Sequence, residues 1–467
     1  MTTFSLFHQP SFGSKIQNIK TPIHLKALFA AMFSFSARFK PKFPHDVHDF
    51  AQSPPDNVDH QRFHSLALKF IDEAMEECSD ETPPLCLLQA LILSTFYKLT
   101  NGVRGRAWRL LGSCVRIAYE LRLHLIDYER PGGAPKTGPE LARWSSDEER
   151  RRSWWAIWEM DIFASTIKRS PTAIDWAMNE TYLPVKDEFW FNRRHHPSCF
   201  LEKKPMDRWK SLEKCRNESP EAWFIVVNSI MRDARLLSNL RSMLPDIDPN
   251  NNVAQLIQYF RNEFRKKQPE EEAEKLTILI HSLCCFTMAL PESLAYNGEY
   301  LSFASTDSSS FSTTECRQNH SARYSIYLMI QLAKFMIYHH YAFGEIVAGT
   351  ILMDKPRNLG FGWTATEQGK PTNCQGLLTC MESADSILEI LNRCSENHVQ
   401  HVNPFLASTV WLATALQVLR KAFGDDLNPD LIESKCEVLR INCQQYTKFW
   451  GTPLALMENL DSLEERL

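Results

Sequence analysis

The chain has 467 residues, 44% of them hydrophobic and 23% charged, with a formal net charge of −4 at pH 7 and a pI near 6.4. That is ample apolar material for a large core, at an ordinary globular charge density. The mildly acidic balance argues against a module that grips nucleic acid unaided, because such modules carry a strong basic bias, often a pI above about 9.

Helical periodicity dominates in chain order. Ala27–Ala37 is apolar between Lys26 and Arg38. It is too short for a transmembrane helix, which needs about 20 residues, and its flanks are wrong for a signal peptide. From Arg62 to Cys78, Phe63, Leu66, Ala67, Phe70, Ile71, Ala74 and Met75 recur at helical spacing. Leu85–Leu99 is apolar on nearly every side and predicts a buried helix, broken at Asn101-Gly102. Arg106–Leu123 is amphipathic. Glu129–Ser145, rich in Pro and Gly, reads as an exposed loop. Ser146 with Glu149 has capping-box spacing and predicts the start of the next helix, which ends near Ser170-Pro171.

Further helices are expected at Glu221–Leu244, Val253–Lys267, Glu270–Leu290, Ser321–Leu352, Gly376–Asn392, Pro404–Phe423 and Asn428–Tyr446. The serine-rich run 302–314 reads as a flexible loop. No strand-period pattern of any length and no fixed-period repeat is visible. The expected fold class is all-α: a single large helical domain, residues 1–467, of many packed antiparallel helices.

Chemistry is largely missing from the pattern. The thirteen cysteines include no C-x-x-C pair. Their scatter and odd count suit small buried hydrophobes in a reducing, intracellular compartment. His195-His196 and His339-His340 are adjacent pairs, which on a helix point about 100° apart and chelate poorly. The acidic runs Asp72-Glu73/Glu76-Glu77, Asp147–Glu149 and Glu270–Glu272 lack the spacing of a magnesium-binding helix and read as solvated faces or helix N-termini. No phosphate loop, H-E-x-x-H or G-x-S-x-G is present. No catalytic residue, cofactor site or metal site is therefore expected. Between Asn101 and Trp155 eleven Lys/Arg face seven acids, densest at Arg150–Arg152. Such a run can meet phosphate, but more often it pairs with acids one turn earlier.

Four segments then align with a known pattern: LKALFAAMFSFSARF (25–39), LLQALILSTFY (87–97), GRAWRLLGSCVRIAYELRLH (105–124) and EERRRSWWAIWEMDIFAS (148–165). In this order they resemble the middle homology region of fungal binuclear zinc-cluster transcription factors, best over residues 25–184 and loosely beyond. The motif residues are Gln89, Trp108, Gly112, Arg116, His124, Glu148, Arg151, Arg152, Trp154, Trp155 and Asp161. Physically they read as structural: large apolar anchors and arginines paired with carboxylates or helix ends. Lys168-Arg169-Ser170-Pro171 stands where the family has Gly-Arg-Pro, which predicts a slightly different turn.

The resemblance implies a transcription regulator of the fungal zinc-cluster type, located in the nucleus. Its implied partners are the transcription machinery or a homologous zinc-cluster protein, with a small-molecule effector possible and no membrane role. The family's zinc cluster needs six cysteines, and no cysteine precedes Cys78. The chain is therefore expected to lack that cofactor and to reach DNA only indirectly, as a regulatory domain. Two alternatives stand beside this: an all-α small-molecule-binding protein or enzyme, and a fragment of a full-length sequence-specific DNA-binding factor.

Overall fold

A computed structural model of the chain describes residues 5–39, 58–128, 133–237, 269–303, 311–352, 373–423 and 428–467. Its helices are α1 (Phe12–Gln17), α2 (Pro22–Ser36), α3 (Val58–Cys78), α4 (Leu85–Thr100), α5 (Gly105–Glu120), α6 (Gly138–Lys168), α7 (Asp187–Phe191), α8 (Pro205–Cys215), α9 (Pro220–Leu237), α10 (Pro269–Ala289), α11 (Phe311–Leu352), α12 (Asn373–Asn392), α13 (Ala407–Phe423), α14 (Pro429–Trp450) and α15 (Ala455–Arg466). The fold is all-α. Among the described residues the β pairing is a single isolated bridge between Leu301 and Cys394. No described helix is long and apolar enough to cross a membrane.

The periodic segments form where the apolar spacing places them. α4 is enclosed by α2, α3, α5 and α6, as an all-round apolar helix requires. α6 then packs on α9, which joins α8, α10 and α11, while α12–α15 follow one another around the far side. One contiguous apolar cluster runs from Leu6 to Trp450. Arg38, near the end of segment 25–39, helps to join the two ends of this cluster. Arg38 donates to the Phe449 carbonyl at 2.6 Å and lies over the rings of Tyr97 and Trp450 at 4.8 and 5.5 Å.

Two expectations about the start of α6 fail together. The segment 138–145 is helix, not loop, and the capping box is Thr137/Glu140 rather than Ser146/Glu149. The Glu140 backbone N–H donates to Thr137 Oγ1 at 3.3 Å, and the Glu140 carboxylate accepts from the Thr137 N–H at 3.2 Å. Pro139 sits in the first turn, where its missing N–H costs nothing. Gly138 and Pro139, which read as breakers, are entry signals.

The other end of α6 closes on a left-handed residue. Arg169 adopts a left-handed conformation, φ 53°, and Ser170 N–H donates back to Ser165 O at 3.1 Å. This is the left-handed helix exit that glycine favours, made here with an arginine.

Two other turns do need glycine. Gly102 has φ 107°, and a Cβ there would stand 2.9 Å from Pro453. Gly451 has φ 73°, and a Cβ would stand 2.7 Å from Asn101 Oδ1. The break after α4 and the end of α14 thus pack so closely that the Pro453 and Asn101 side chains lie against the two glycines.

Further differences are local. α1, α7, α8 and α15 are short or strongly polar helices that periodicity did not predict. α11 begins at Phe311, so the last part of the serine-rich run is helical, while 304–310 lie outside the described residues. The helix expected at 253–267 also lies outside them.

Candidate functional site

The motif residues converge on α6. The acids read as solvated are enclosed: Asp147, Glu148 and Glu149 are all buried, Glu148 completely. They can be buried because Arg150, Arg151 and Arg152 on α6 itself and Lys15 on α1 supply the counter-charges, while segment 179–190 and the N-terminal stretch 5–11 add backbone partners. The acids of α3, Asp72, Glu73, Glu76 and Glu77, are exposed as expected.

Arg151 forms a bidentate pair with Asp127, Nε to Oδ2 at 2.9 Å and Nη2 to Oδ1 at 2.6 Å, and donates to Glu148 at 3.3 Å. Arg152 donates to Glu148 Oε1 at 3.1 Å, to Asp187 Oδ1 at 2.5 Å and to the Val185 carbonyl at 2.5 Å. Its guanidinium lies 4.2 Å from the Trp190 ring centroid. Glu148 also accepts the Val185 N–H at 2.9 Å, and Asp127 that of Tyr182 at 2.8 Å. The arginines of the basic run thus pair with acids a turn before, and two of the three are enclosed.

The electrostatics follow from burial. Desolvation pushes the Glu148 carboxyl upward, with Arg152 and Arg151 opposing it. For Arg152 burial alone would lower the guanidinium. The carboxylates of Asp187, Glu148 and Glu221 outweigh it and hold the group above its ordinary value. Glu221, buried near Asp187, is raised to about 7 by desolvation and then by that like charge.

The remaining motif residues support the same segment. Trp154 Nε1 donates to Asn179 Oδ1 at 2.8 Å, and Trp155 Nε1 to the Tyr182 carbonyl at 2.8 Å. Asp161 accepts the N–H groups of Ala173 and Ile174 at 3.1 and 2.9 Å, closing the loop after α6. Gln89 donates to Glu149 at 3.1 Å and to the Leu6 carbonyl at 3.2 Å. His124 packs edge-on against Tyr119 at 4.8 Å, and burial lowers its pKa. Trp108 is half-buried. Gly112 is half-buried with open space around it. Arg116 differs from expectation: it is exposed and makes no ion pair among the described residues.

Sequence reasoning missed Asp127 and Tyr182, which lie in irregular segments, and Asp187, which opens the five-residue α7. It also missed Glu159, which is enclosed one helical turn beyond Trp155. Asn403 donates to Glu159 at 2.5 Å, and desolvation raises its carboxyl to about 8. Position 159 lies on the buried stripe of α6, so an acid there was a visible anomaly.

A cavity of about 260 Å³ opens beside the network. Its floor includes Asp127, Glu148 and Arg151, and its rim carries Arg143, Trp144, Tyr182, His195 and His196. His195 meets Trp144 edge-on at 5.4 Å. Each acid in the lining is engaged: Asp127 and Glu148 as above, Asp147 with Arg150 at 3.5 Å, and Glu140 in the capping box. Among the described residues no group of three or more His, Cys, Asp or Glu side chains could hold a metal ion.

The Fungal specific transcription factor domain matches residues 2–268, more than half of the chain. The chain belongs to this family. It is 26% identical over 255 residues to a Zn(2)-C6 fungal-type transcription factor of Fusarium oxysporum f. sp. lycopersici, covering 53% of this chain and 26% of that one. It is 29% identical over 119 residues to transcription factor tazR of Aspergillus terreus, covering 26% and 18% of the two chains. An uncharacterized transcriptional regulatory protein of Schizosaccharomyces pombe is 21% identical over 500 residues, covering 99% of this chain and 46% of its own length. The chain thus spans less than half the length of these relatives. No solved structure matches. The family match includes every motif residue and the whole α6 network.

Proposed function

We propose that this chain is the regulatory and interaction region of a fungal zinc-cluster-type transcription regulator, acting in the nucleus as one helical unit. The observation that carries this is the family match over 2–268 together with the fate of the basic run. Arg151 and Arg152 are enclosed and bonded to carboxylates, so the densest positive segment does not present a face to phosphate. DNA contact then comes through a partner, from the transcription machinery or a homologous zinc-cluster protein, or through a zinc-cluster segment joined to this region. The motif residues are structural: they hold segment 179–190 on α6. The contiguous core supports treating the chain as a single domain.

A mobility-shift titration of this polypeptide against promoter fragments tests the reading. Weak binding without sequence preference is the expected result. Tight, sequence-specific and salt-sensitive binding by this chain alone would overturn it. Non-enzymatic action is part of the same proposal, because every carboxylate lining the cavity already has a partner and none is left for acid–base work.

A second reading adds a small-molecule effector. The specific observation is the cavity rim, where Arg143 has no ion pair among the described residues and His195 packs on Trp144. That arrangement suits a planar anion stacked on an aromatic face. Dye displacement by aromatic carboxylates, abolished by Arg143→Ala, is the expected outcome. Equal binding by the variant would exclude this cavity.

A further inference from the structure

The basic run between Asn101 and Trp155 has two fates. Its densest point, on α6, is largely enclosed, but the arginines of α5 face outward. Arg104, Arg106, Arg109 and Arg116 are exposed and make no ion pair among the described residues. At 100° per residue, Arg106, Arg109, Gly112, Ser113, Arg116 and Glu120 fall within about 120° of arc and form one stripe. The opposite face, with Ala107, Leu111, Cys114 and Ala118, is buried in the core. The direction of the stripe is thereby fixed.

Positive charge accumulates at its N-terminal end. α5 has no acid in its first turn. Lys98, half-buried near the end of α4, has its ammonium lowered first by burial and then by the charge of Arg106. Buried His64 is lowered to about 3 by burial, and then by Lys98 and Arg106. No carboxylate stands among the leading influences on either group. An anion brought to this end relieves like-charge repulsion. The middle of the stripe is open: a Cβ added to Gly112 meets nothing within 4 Å. Gly112 and Ser113 therefore let another backbone come close, with Arg109 and Arg116 a turn away on either side.

At the far end the sign reverses. Glu120 closes the stripe, and Glu77, Glu81 and Glu120 together act on the Cys78 thiol, raising it further after burial. These acids thus gather where α3 and α5 end. The reversal decides between kinds of polyanion. A nucleic-acid strand carries unbroken negative charge, and past Arg116 it meets these carboxylates, on a chain whose net charge is −4. A protein segment changes sign along its length at no such cost.

We propose that the exposed face of α5 is a docking surface for an acidic helical segment of a protein partner, laid along Arg106, Arg109 and Arg116. The inference rests on the reading of this chain as an interaction region, and it supplies the partner's chemistry. Arg106 to Arg116 spans about 15 Å along the helix, nearly three turns. Carboxylates repeating every three or four residues match that spacing, and a cation one turn further on meets Glu120. Complementary charge of this kind sets register and the rate of encounter.

The test follows the fluorescence anisotropy of a labelled, alanine-based helical peptide added to the full chain. The peptide carries Glu at i, i+3, i+7 and i+10, and Lys one turn later; its control has Gln for each Glu. The chain should bind the Glu peptide and not the Gln peptide, and release it as NaCl rises from about 50 mM to about 500 mM. The triple variant Arg106→Gln, Arg109→Gln, Arg116→Gln should bind roughly tenfold more weakly or worse. Its urea midpoint should match wild type, because these side chains carry no ion pair or hydrogen bond of the fold. Arg109→Glu should regain affinity for a peptide whose facing Glu is Lys. No binding by wild type, or equal binding by the triple variant, would overturn the proposal. Tighter, sequence-independent binding of duplex DNA that the triple variant loses would assign the face to phosphate instead. A wild-type dimer that the triple variant dissolves, seen by sedimentation, would assign it to the exposed acids of a second copy. A failed peptide titration beside an unchanged mobility-shift result strikes this surface alone and leaves the proposed function standing.

Discussion

Arg152→Leu removes the hub of the α6 network. The guanidinium is completely enclosed and serves Glu148, Asp187 and the Val185 carbonyl at once. Without it, Glu148 keeps Arg151 at 3.3 Å and the Val185 N–H at 2.9 Å, while Asp187 loses its cation and is only 18% exposed. Breaking one side of a buried pair costs about 3–5 kcal/mol. The retained Arg151 contact puts the expected loss near the lower end, about 3 kcal/mol. The loss also depends on pH. Burial already raises the Glu148 carboxyl, and Arg152 is the foremost opposing charge. With Arg152 gone the carboxyl rises further, so the folded state holds a proton that the unfolded state releases. Stability of the variant therefore falls, relative to wild type, as pH climbs above the ordinary glutamate value. Urea titrations followed by tryptophan fluorescence at about pH 5.5 and about pH 8 would measure both effects. Adding Glu148→Gln to the variant should recover about 1–2 kcal/mol, because the two sites couple. A loss below about 0.5 kcal/mol at both pH values would refute the reasoning, for that is the level of an ordinary surface change.

Two further outcomes are expected. Glu159 has its carboxyl raised from 4.5 to about 8 by desolvation. Between those values the folded protein keeps a proton that the unfolded chain has lost, so stability declines with rising pH across that window and levels off above it. At 1.36 kcal/mol per unit the decline is several kcal/mol at most; Glu159→Gln, which still accepts from Asn403, should abolish it, and an unchanged pH profile in the variant would contradict the burial argument. Arg169→Gly should stabilise the protein by roughly 0.5–1 kcal/mol, because it relieves a left-handed arginine that is exposed and replaces it with the residue that turn favours. A destabilised Arg169→Gly, read as a lower urea midpoint, would show that the arginine side chain is holding something.

The all-α class, the enclosure of α4 and the approximate bounds of nine helices were legible in sequence, because apolar spacing is a local property and burial follows from it. The family motifs were legible for the same reason: they cluster on α2, α4, α5 and α6, whose periods are regular. What sequence misread was local punctuation. Pro139 and Gly138 break a periodic pattern but also open a helix, and Thr137 with Glu140 was the signal that distinguished the two. What sequence could not reach was the partner of each charge. Glu148, Arg151 and Arg152 look like a solvated stripe until residues 5, 127, 182, 185 and 187 close over them, and those residues lie in irregular segments or at the start of the five-residue α7, with no period to read. Helix identity is encoded within a turn or two of chain, whereas burial of a charge depends on segments far apart in sequence, and only the tertiary structure brings those together.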